Sequence, residues 1–195
     1  MSTNSLMERL DDLRSRQKKI DDTWKNTGNK PLLEFFIELI PRVLDCERCS
    51  IFILDPEAND IWLQCGTGLE ERAVSVHLDD SMVGRVISSA SPLFEHNMNQ
   101  RAGVHEWIDI QTGFVTHNAL CVPVKGSSEN TVTGAIQVLN KQPGSEFTHD
   151  DCEILEKLAS HMQMNIENIF LRQQLAKLLD DVGVAIKKIE GHLDQ

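Results

Sequence analysis

Two stretches of this 195-residue chain gather groups able to hold an anionic, hydrogen-bonding ligand. In "HEWIDIQTGFVTHNALCVPV", His105, Asp109, Thr112 and Thr116 follow one another at steps of 4, 3 and 4. That spacing predicts one helical face carrying an imidazole, a carboxylate and two hydroxyls. In "DDSMVGRVISSA", Met82, Val83, Val86 and Ile87 fall at helical spacing behind Asp80 or Ser81, either of which suits an N-cap. The free N–H groups and positive dipole end of such a helix start suit an anion. Gln137 lies inside "GAIQVLN", a strand otherwise apolar on both faces, where an amide needs a partner. An anion site, hydroxyls and a polar floor fit a cyclic nucleotide. By periodicity alone, though, the stripe is better described as a solvated helix face, with Thr112 and Thr116 bonding back to their own helix.

Other chemistries lack their residues. The chain contains no G-x-x-x-x-G-K-[ST], H-E-x-x-H or G-x-S-x-G. Its seven histidines (His77, His96, His105, His117, His149, His161 and His192) show no close metal spacing, so no metal is expected. The loop histidines His96 and His105 read as solvated. Cys46 and Cys49 form a lone CxxC without the second pair a zinc site needs. Five cysteines, an odd number in mostly apolar surroundings, read as reduced intracellular thiols filling core space. A net charge of -11 without basic patches argues against nucleic acid. No apolar run approaches membrane-spanning length and no signal-peptide layout opens the chain, so a cytoplasmic protein away from membranes is expected.

The positioning elements follow from the periodicity. Leu6, Leu10, Leu13, Gln17, Ile20 and Trp24 trace a heptad seam before "KNTGNKP" breaks it. Leu32, Leu33, Phe36, Ile37, Ile40 and Leu44 form the broad face of a core helix that Pro41 kinks or divides. From Ser50 the period drops towards two: "SIFILD", "IWLQC", "RAVSVHL" and "PLFEH", then "NALCVPV" and "VTGAIQVLN", read as strands. "THDDCEIL" opens a long helix with Thr148 as N-cap. Its buried face is Leu155, Leu158, Met162, Ile166 and Ile169, and a seam continues through Leu171, Leu175, Leu178, Val182, Ala185 and Ile189. The order is helix, α+β domain, helix. Isolated helices of this length are marginal in water, so both seams need partners. A homodimer through the terminal helices is expected, with packing on the chain's own domain as the alternative.

The combination "DIQTGFVTHNALCVPV", "VTGAIQVLNK", Phe147 and Asp151 resembles the GAF domain of cyclic-nucleotide phosphodiesterases and cyanobacterial-type adenylyl cyclases. "CERCSIFILD" resembles that family's first core strand and "SMVGRV" its next landmark. The resemblance covers about residues 31–172, leaving 1–30 as an N-terminal connecting helix and 173–195 as a C-terminal coiled-coil-like extension. It implies an α+β, GAF-like central antiparallel sheet with helices on one side, flanked by coiled-coil-like helices. It also implies ligand roles for Asp109, Thr112 and Thr116 in a segment over the nucleotide. His105 matches an aromatic position, Met82 and Val83 the amides at the cyclic phosphate, Ser50 a strand residue near the base, and Gln137 the pocket floor. Asn140, Lys141, Phe147 and Asp151 match a bracing signature in which Lys and Asp pair. Cys152 stands where that signature has Glu.

Where the family has a phenylalanine-acid pair, this chain has Gln64 and Cys65. Guanine offers N1–H and an amino group that a carboxylate accepts well, so the change tilts the expectation from cyclic GMP towards cyclic AMP, with Cys65 at the base position. The resemblance implies a sensor and not an enzyme, with the nucleotide as ligand, no cofactor, and no room for cyclase or phosphodiesterase chemistry. Two alternatives are a GAF domain that only dimerises, and a GAF-type free methionine sulfoxide reductase using Cys65 and Cys121. The absence of an Asp-Ile-Pro stretch disfavours a bilin.

Overall fold

Long apolar runs such as "IFIL" and "LCVPV" suit strands covered on both faces, and six strands here build one such sheet. The computed structural model describes residues 12–13, 15–16, 29–55, 58–70, 73–79, 81–98, 109–110, 113–127 and 131–193. They fall into two compact units, Leu32–Phe170 and the terminal segments Met1–Pro31 with Leu171–Gln195. The N-terminal seam from Leu6 to Trp24 lies outside the described residues, apart from Leu13, which is helical and exposed.

Helix α1 (Asn29–Val43) runs through Pro41 without dividing. It buries Leu33, Ile37 and Ile40 at helical spacing, and Asp45, at φ 48, turns the chain into the sheet. Strands β1 (Cys46–Asp55), β2 (Asp60–Gly66) and β3 (Ser75–His77) lead to helix α2 (Met82–Ser89). Strands β4 (Leu93–Glu95), β5 (Ala119–Lys125) and β6 (Val132–Lys141) precede helix α3 (His149–Leu193). The order is β3-β2-β1-β6-β5-β4, with every neighbouring pair antiparallel.

Successive strand residues alternate between two apolar layers. Cys49, Ile51, Ile53, Val122, Ile136 and Val138 pack under α1 and α3, meeting Leu155, Ala159, Met162 and Ile166. Phe52, Leu63, Ala119, Cys121 and Ala135 face α2, meeting Met82, Val83 and Val86. The two long helices thus share one face, and short α2 covers the other.

Three details fix this arrangement. Ile51 pairs with Cys65 but Phe52 with Leu63, so Gln64 is an extra residue that bulges β2. A Cβ at Gly134 would lie 2.1 Å from the Phe52 carbonyl oxygen, and one at Gly84 would lie 1.9 Å from that of Leu78. Only glycine lets β6 approach β1, and α2 approach the turn before it, so closely. Thr148 and Asp151 start α3 reciprocally: Asp151 N donates to Thr148 Oγ1 (3.3 Å) and Thr148 N donates to Asp151 Oδ2 (2.8 Å).

Beyond Phe170, the α3 seam residues Leu171, Leu175, Leu178, Val182 and Ile189 are exposed, whereas Ile186 is buried. Among the described residues, no helix is long and apolar enough to cross a membrane.

Candidate functional site

The sheet face beneath α2 carries a short row of polar and small side chains, termed the notch. Register places Ser50 of β1 beside Gln137 of β6, and Gln137 beside Cys121 of β5, forming a row across three adjacent strands. Ser50 is buried, and Gly66 opposite leaves it room, since a Cβ there would sit 2.9 Å from Ser50 Oγ. Met82, the first residue of α2, reaches down to this row. Gln137 Nε2 donates to Met82 Sδ at 3.5 Å, a weak acceptor for an amide. Ser81 caps α2: its Oγ accepts from Gly84 N at 2.9 Å and donates to His77 O at 3.3 Å. This leaves Met82 and Val83 as the first helical residues ahead of the capped Gly84. Arg85 on α2 holds the largely buried Glu95 of β4 at 2.8 Å, which ties the helix to the sheet edge.

The segment entering β5 differs from its helical expectation. Asp109 and Ile110 are helical, but Gly113 takes φ 66 and residues 114–118 have no helical structure. Asp109 and Thr116 therefore do not share a helix face. The chain turns back, and the carboxylate grips the later residue directly: Thr116 N donates to Oδ2 at 2.7 Å and Thr116 Oγ1 donates to Oδ1 at 2.8 Å. Thr116 is buried by this closure. His105 and Thr112 lie outside the described residues.

Asn140 fastens the segment to the sheet, roughly 10 Å along β6 from Gln137. It takes φ 56, a conformation Asn tolerates better than most residues. Its Oδ1 accepts from His117 N at 2.7 Å, while its Nδ2 donates to Val115 O at 2.8 Å and to Glu47 Oε2 at 3.0 Å. Arg48 adds a guanidinium 3.8 Å above the Phe114 ring, and Asn118 Oδ1 accepts from Lys141 N at 2.9 Å. Glu47, Arg48, Phe114 and Asn118 carry no periodic signal, and Glu47 lies 93 positions before Asn140. Sequence reasoning missed them for that reason.

Cys65 does not join the notch. The Gln64 bulge turns it to the opposite face, where it packs beneath α1 and α3. It is also three strand positions from Cys121, since β1 and β6 lie between β2 and β5, or roughly 14 Å. A disulfide needs Cα atoms within about 7 Å. Cys46 and Cys49 occupy one strand, with Cα atoms roughly 10 Å apart, so the CxxC cannot close either. None of the five cysteines is in a disulfide. Burial pushes Cys46 up to about 12 and Cys152 up to about 11, and pushes Cys49 and Cys121 well above the ordinary thiol value. Among the described residues, no cluster of His, Cys, Asp and Glu is arranged to hold a metal.

The GAF domain family profile matches residues 31–166, more than half of the chain. The chain belongs to the GAF domain family. Similar proteins include a probable 3',5'-cyclic phosphodiesterase of Caenorhabditis elegans, 23% identical over 77% of this chain and 22% of its own length. The cGMP-specific 3',5'-cyclic phosphodiesterase of Drosophila virilis is 29% identical over 46% of this chain and 11% of its own. The dual 3',5'-cyclic-AMP and -GMP phosphodiesterase 11A of Takifugu rubripes is 25% identical over 65% of this chain and 15% of its own. The chain thus spans less than a quarter of the length of these relatives. Among solved structures, the GAF domain of an Acinetobacter phosphoenolpyruvate-protein phosphotransferase superposes with a TM-score of 0.60 at 20% identity, covering 80% of this chain and 94% of that one. Its counterpart from Coxiella burnetii gives 0.64 at 14% identity, covering 89% and 99%.

Lys141 Nζ donates to Asp151 Oδ1 at 2.7 Å and to Leu44 O at 2.8 Å, joining the ends of α1 and α3 to β6. Burial alone raises the Asp151 carboxyl, but hydrogen bonds from Lys141 and Thr148 outweigh it and hold the group below its ordinary value. Phe147 is buried, with Lys141 Nζ 5.9 Å from its ring centroid. Cys152 points into the apolar layer beneath α3, a position that suits a thiol.

Proposed function

We propose that this GAF domain is the regulatory sensor of a signal-transduction protein, binding a cyclic nucleotide on the notched face of the sheet. The single observation carrying this reading is the conjunction of two features. Ser50, Gln137 and Met82 meet on one face, and the Asp109–Thr116 segment is latched to the same strand by Asn140. The cyclic phosphate meets the backbone at Met82 and Val83, where a helix start favours an anion. Gln137 reads the base, and the latched pair Asp109 and Thr116 closes over it; ligand roles for His105 and Thr112 rest on the resemblance alone.

Cyclic AMP is slightly favoured over cyclic GMP. An amide offers a donor and an acceptor side by side, as the edge of adenine does. Gln64 and Cys65 supply no carboxylate for guanine, and Cys65 faces away from the notch. The relatives named for cyclic-nucleotide phosphodiesterases support the ligand class, and those names include both nucleotides.

The domain has no catalytic role of its own in this reading, and the separation of Cys65 from Cys121 weighs against thiol redox chemistry. It works in the cytoplasm as a homodimer, whose terminal helices change their packing when nucleotide binds, because the ligand prefers one arrangement. Calorimetry with cyclic AMP and cyclic GMP on the wild type and on Asp109→Ala tests the reading. Binding is expected in the wild type, weakened on the order of tenfold or more by losing the paired charge-assisted bonds to Thr116. No heat with either nucleotide at high micromolar concentration overturns it.

A further inference from the structure

Among the described residues, helix α3 is bolted to the sheet at Asp151, where Lys141 holds it, and at a second place. The second is Glu167. It is 6% exposed, yet its carboxylate faces the tip of the β5–β6 hairpin. Ser127 N donates to both carboxylate oxygens at 2.9 Å, and Ser127 Oγ donates to Oε1 at 2.7 Å. One hairpin residue thus engages both oxygens of this buried acid, 40 positions away in sequence. Gly126 N donates to Thr131 O at 2.7 Å just before it, so the turn is closed behind the clasp.

The two bolts sit at opposite ends of the same hairpin. Asp151 meets Lys141 where β6 ends, and Glu167 meets Ser127 beyond the far end of β5. The helical rise from one to the other is roughly 24 Å. Along that length α3 presents Leu155, Ala159, Met162 and Ile166 to the apolar layer that also holds Leu120, Val122, Ile136 and Val138 of the hairpin. Apolar packing resists separation but is non-directional, so it sets axial register weakly. The directional bonds at the two ends set it.

The ends differ in how readily they open. Lys141 and Asp151 are 15% and 11% exposed at their side chains, and Asp151 also starts the helix with Thr148. Ser127 is exposed, so water can take its place at Glu167. The same hairpin carries Cys121 and Gln137 of the notch. A shift of those strands therefore bears on α3 at both bolts and yields first at the wetter one.

We propose that Ser127 and Glu167 form a releasable clasp that sets the register of α3 against the β5–β6 hairpin, and that ligand binding at the notch acts on α3 through it. The second half rests on the nucleotide reading above; the clasp itself does not. Glu167 is a positioning residue and touches no ligand.

Hydrogen exchange on the full chain without nucleotide tests the clasp. Glu167→Ala is expected to speed exchange in segments 160–170 and 120–127 on the order of tenfold, with 149–155 and 113–118 at wild-type rates. Glu167→Gln, which keeps an acceptor for Ser127, gives a smaller rise, and Ser127→Ala falls between them. Equal acceleration in all four segments, or none, overturns the clasp. Adding cyclic AMP or cyclic GMP tests the relay. The wild type changes its exchange in 160–170, whereas Ser127→Ala and Glu167→Gln lose that change while keeping wild-type affinity by calorimetry. A retained response, or affinity lost together with response, overturns the relay. If neither nucleotide binds the wild type, the nucleotide reading and the relay both fall, while the exchange comparison still decides the clasp.

Discussion

At Lys141 and Asp151, a cation, a carboxylate and two helix ends are fixed by one pair of side chains. Removing one partner strands the other charge in a mostly buried site, which costs about 3–5 kcal/mol. Lys141→Met is therefore expected to lower the urea midpoint by that equivalent at neutral pH. Because the folded Asp151 carboxyl is held below its ordinary value of 3.8, the stabilisation it gives is complete above that value. It is lost as pH falls through and below 3.8, towards the depressed folded value. The wild type should thus lose more stability on acidification than Asp151→Asn does, as read by midpoints at pH 7 and pH 3. The thiols give a second expectation at this scale. With burial holding Cys49 and Cys121 well above the ordinary thiol value, alkylation by iodoacetamide at pH 7 should proceed only as fast as the protein opens. Rapid labelling of either in the native protein contradicts this placement.

At the scale of elements, legibility followed distance along the chain. The capping pair Thr148–Asp151, the Ser81 cap and the apolar faces of α1 and α3 are local patterns, and the sequence displays them directly. Cys65 was legible as a strand residue but not as to its face, because one extra residue, Gln64, inverts the alternation, and burial of both faces hides the inversion. The stripe from His105 to Thr116 had helical spacing, yet Gly113 takes φ 66, residues 114–118 are not helical, and Asp109 meets Thr116 by a direct side-chain contact. Asn140 with Glu47, and Ser127 with Glu167, join residues too far apart for any periodicity to register. The tight approaches at glycine can be checked at this level. Gly134→Ala and Gly84→Ala each force a methyl into a backbone carbonyl at about 2 Å. Each should cost roughly 2 kcal/mol or more, as strain or overpacking of a packed core does. Gly68→Ala instead meets an open surface, and its cost is confined to the positive φ of 70. Denaturant midpoints of the three variants give the comparison.

For the whole molecule, the exposed α3 seam carries the proposed dimer. Leu171, Leu175, Leu178, Val182 and Ile189 fall at steps of 4, 3, 4 and 7 and stand in solvent in the single chain. Sedimentation should show a dimer at micromolar concentration and a monomer for Leu175→Lys combined with Leu178→Lys. A wild type that stays monomeric at high micromolar concentration removes the seam as an interface. The outermost strands have a bearing on this self-association. Strands β3 and β4 are three residues long, and each borders a sheet whose inner strands run to ten. A short rim offers an incoming chain few unpaired peptide groups, and Glu95 with its Arg85 partner puts charge on one side of it. Copies brought together in the proposed dimer would therefore have little opportunity to zip sheet to sheet.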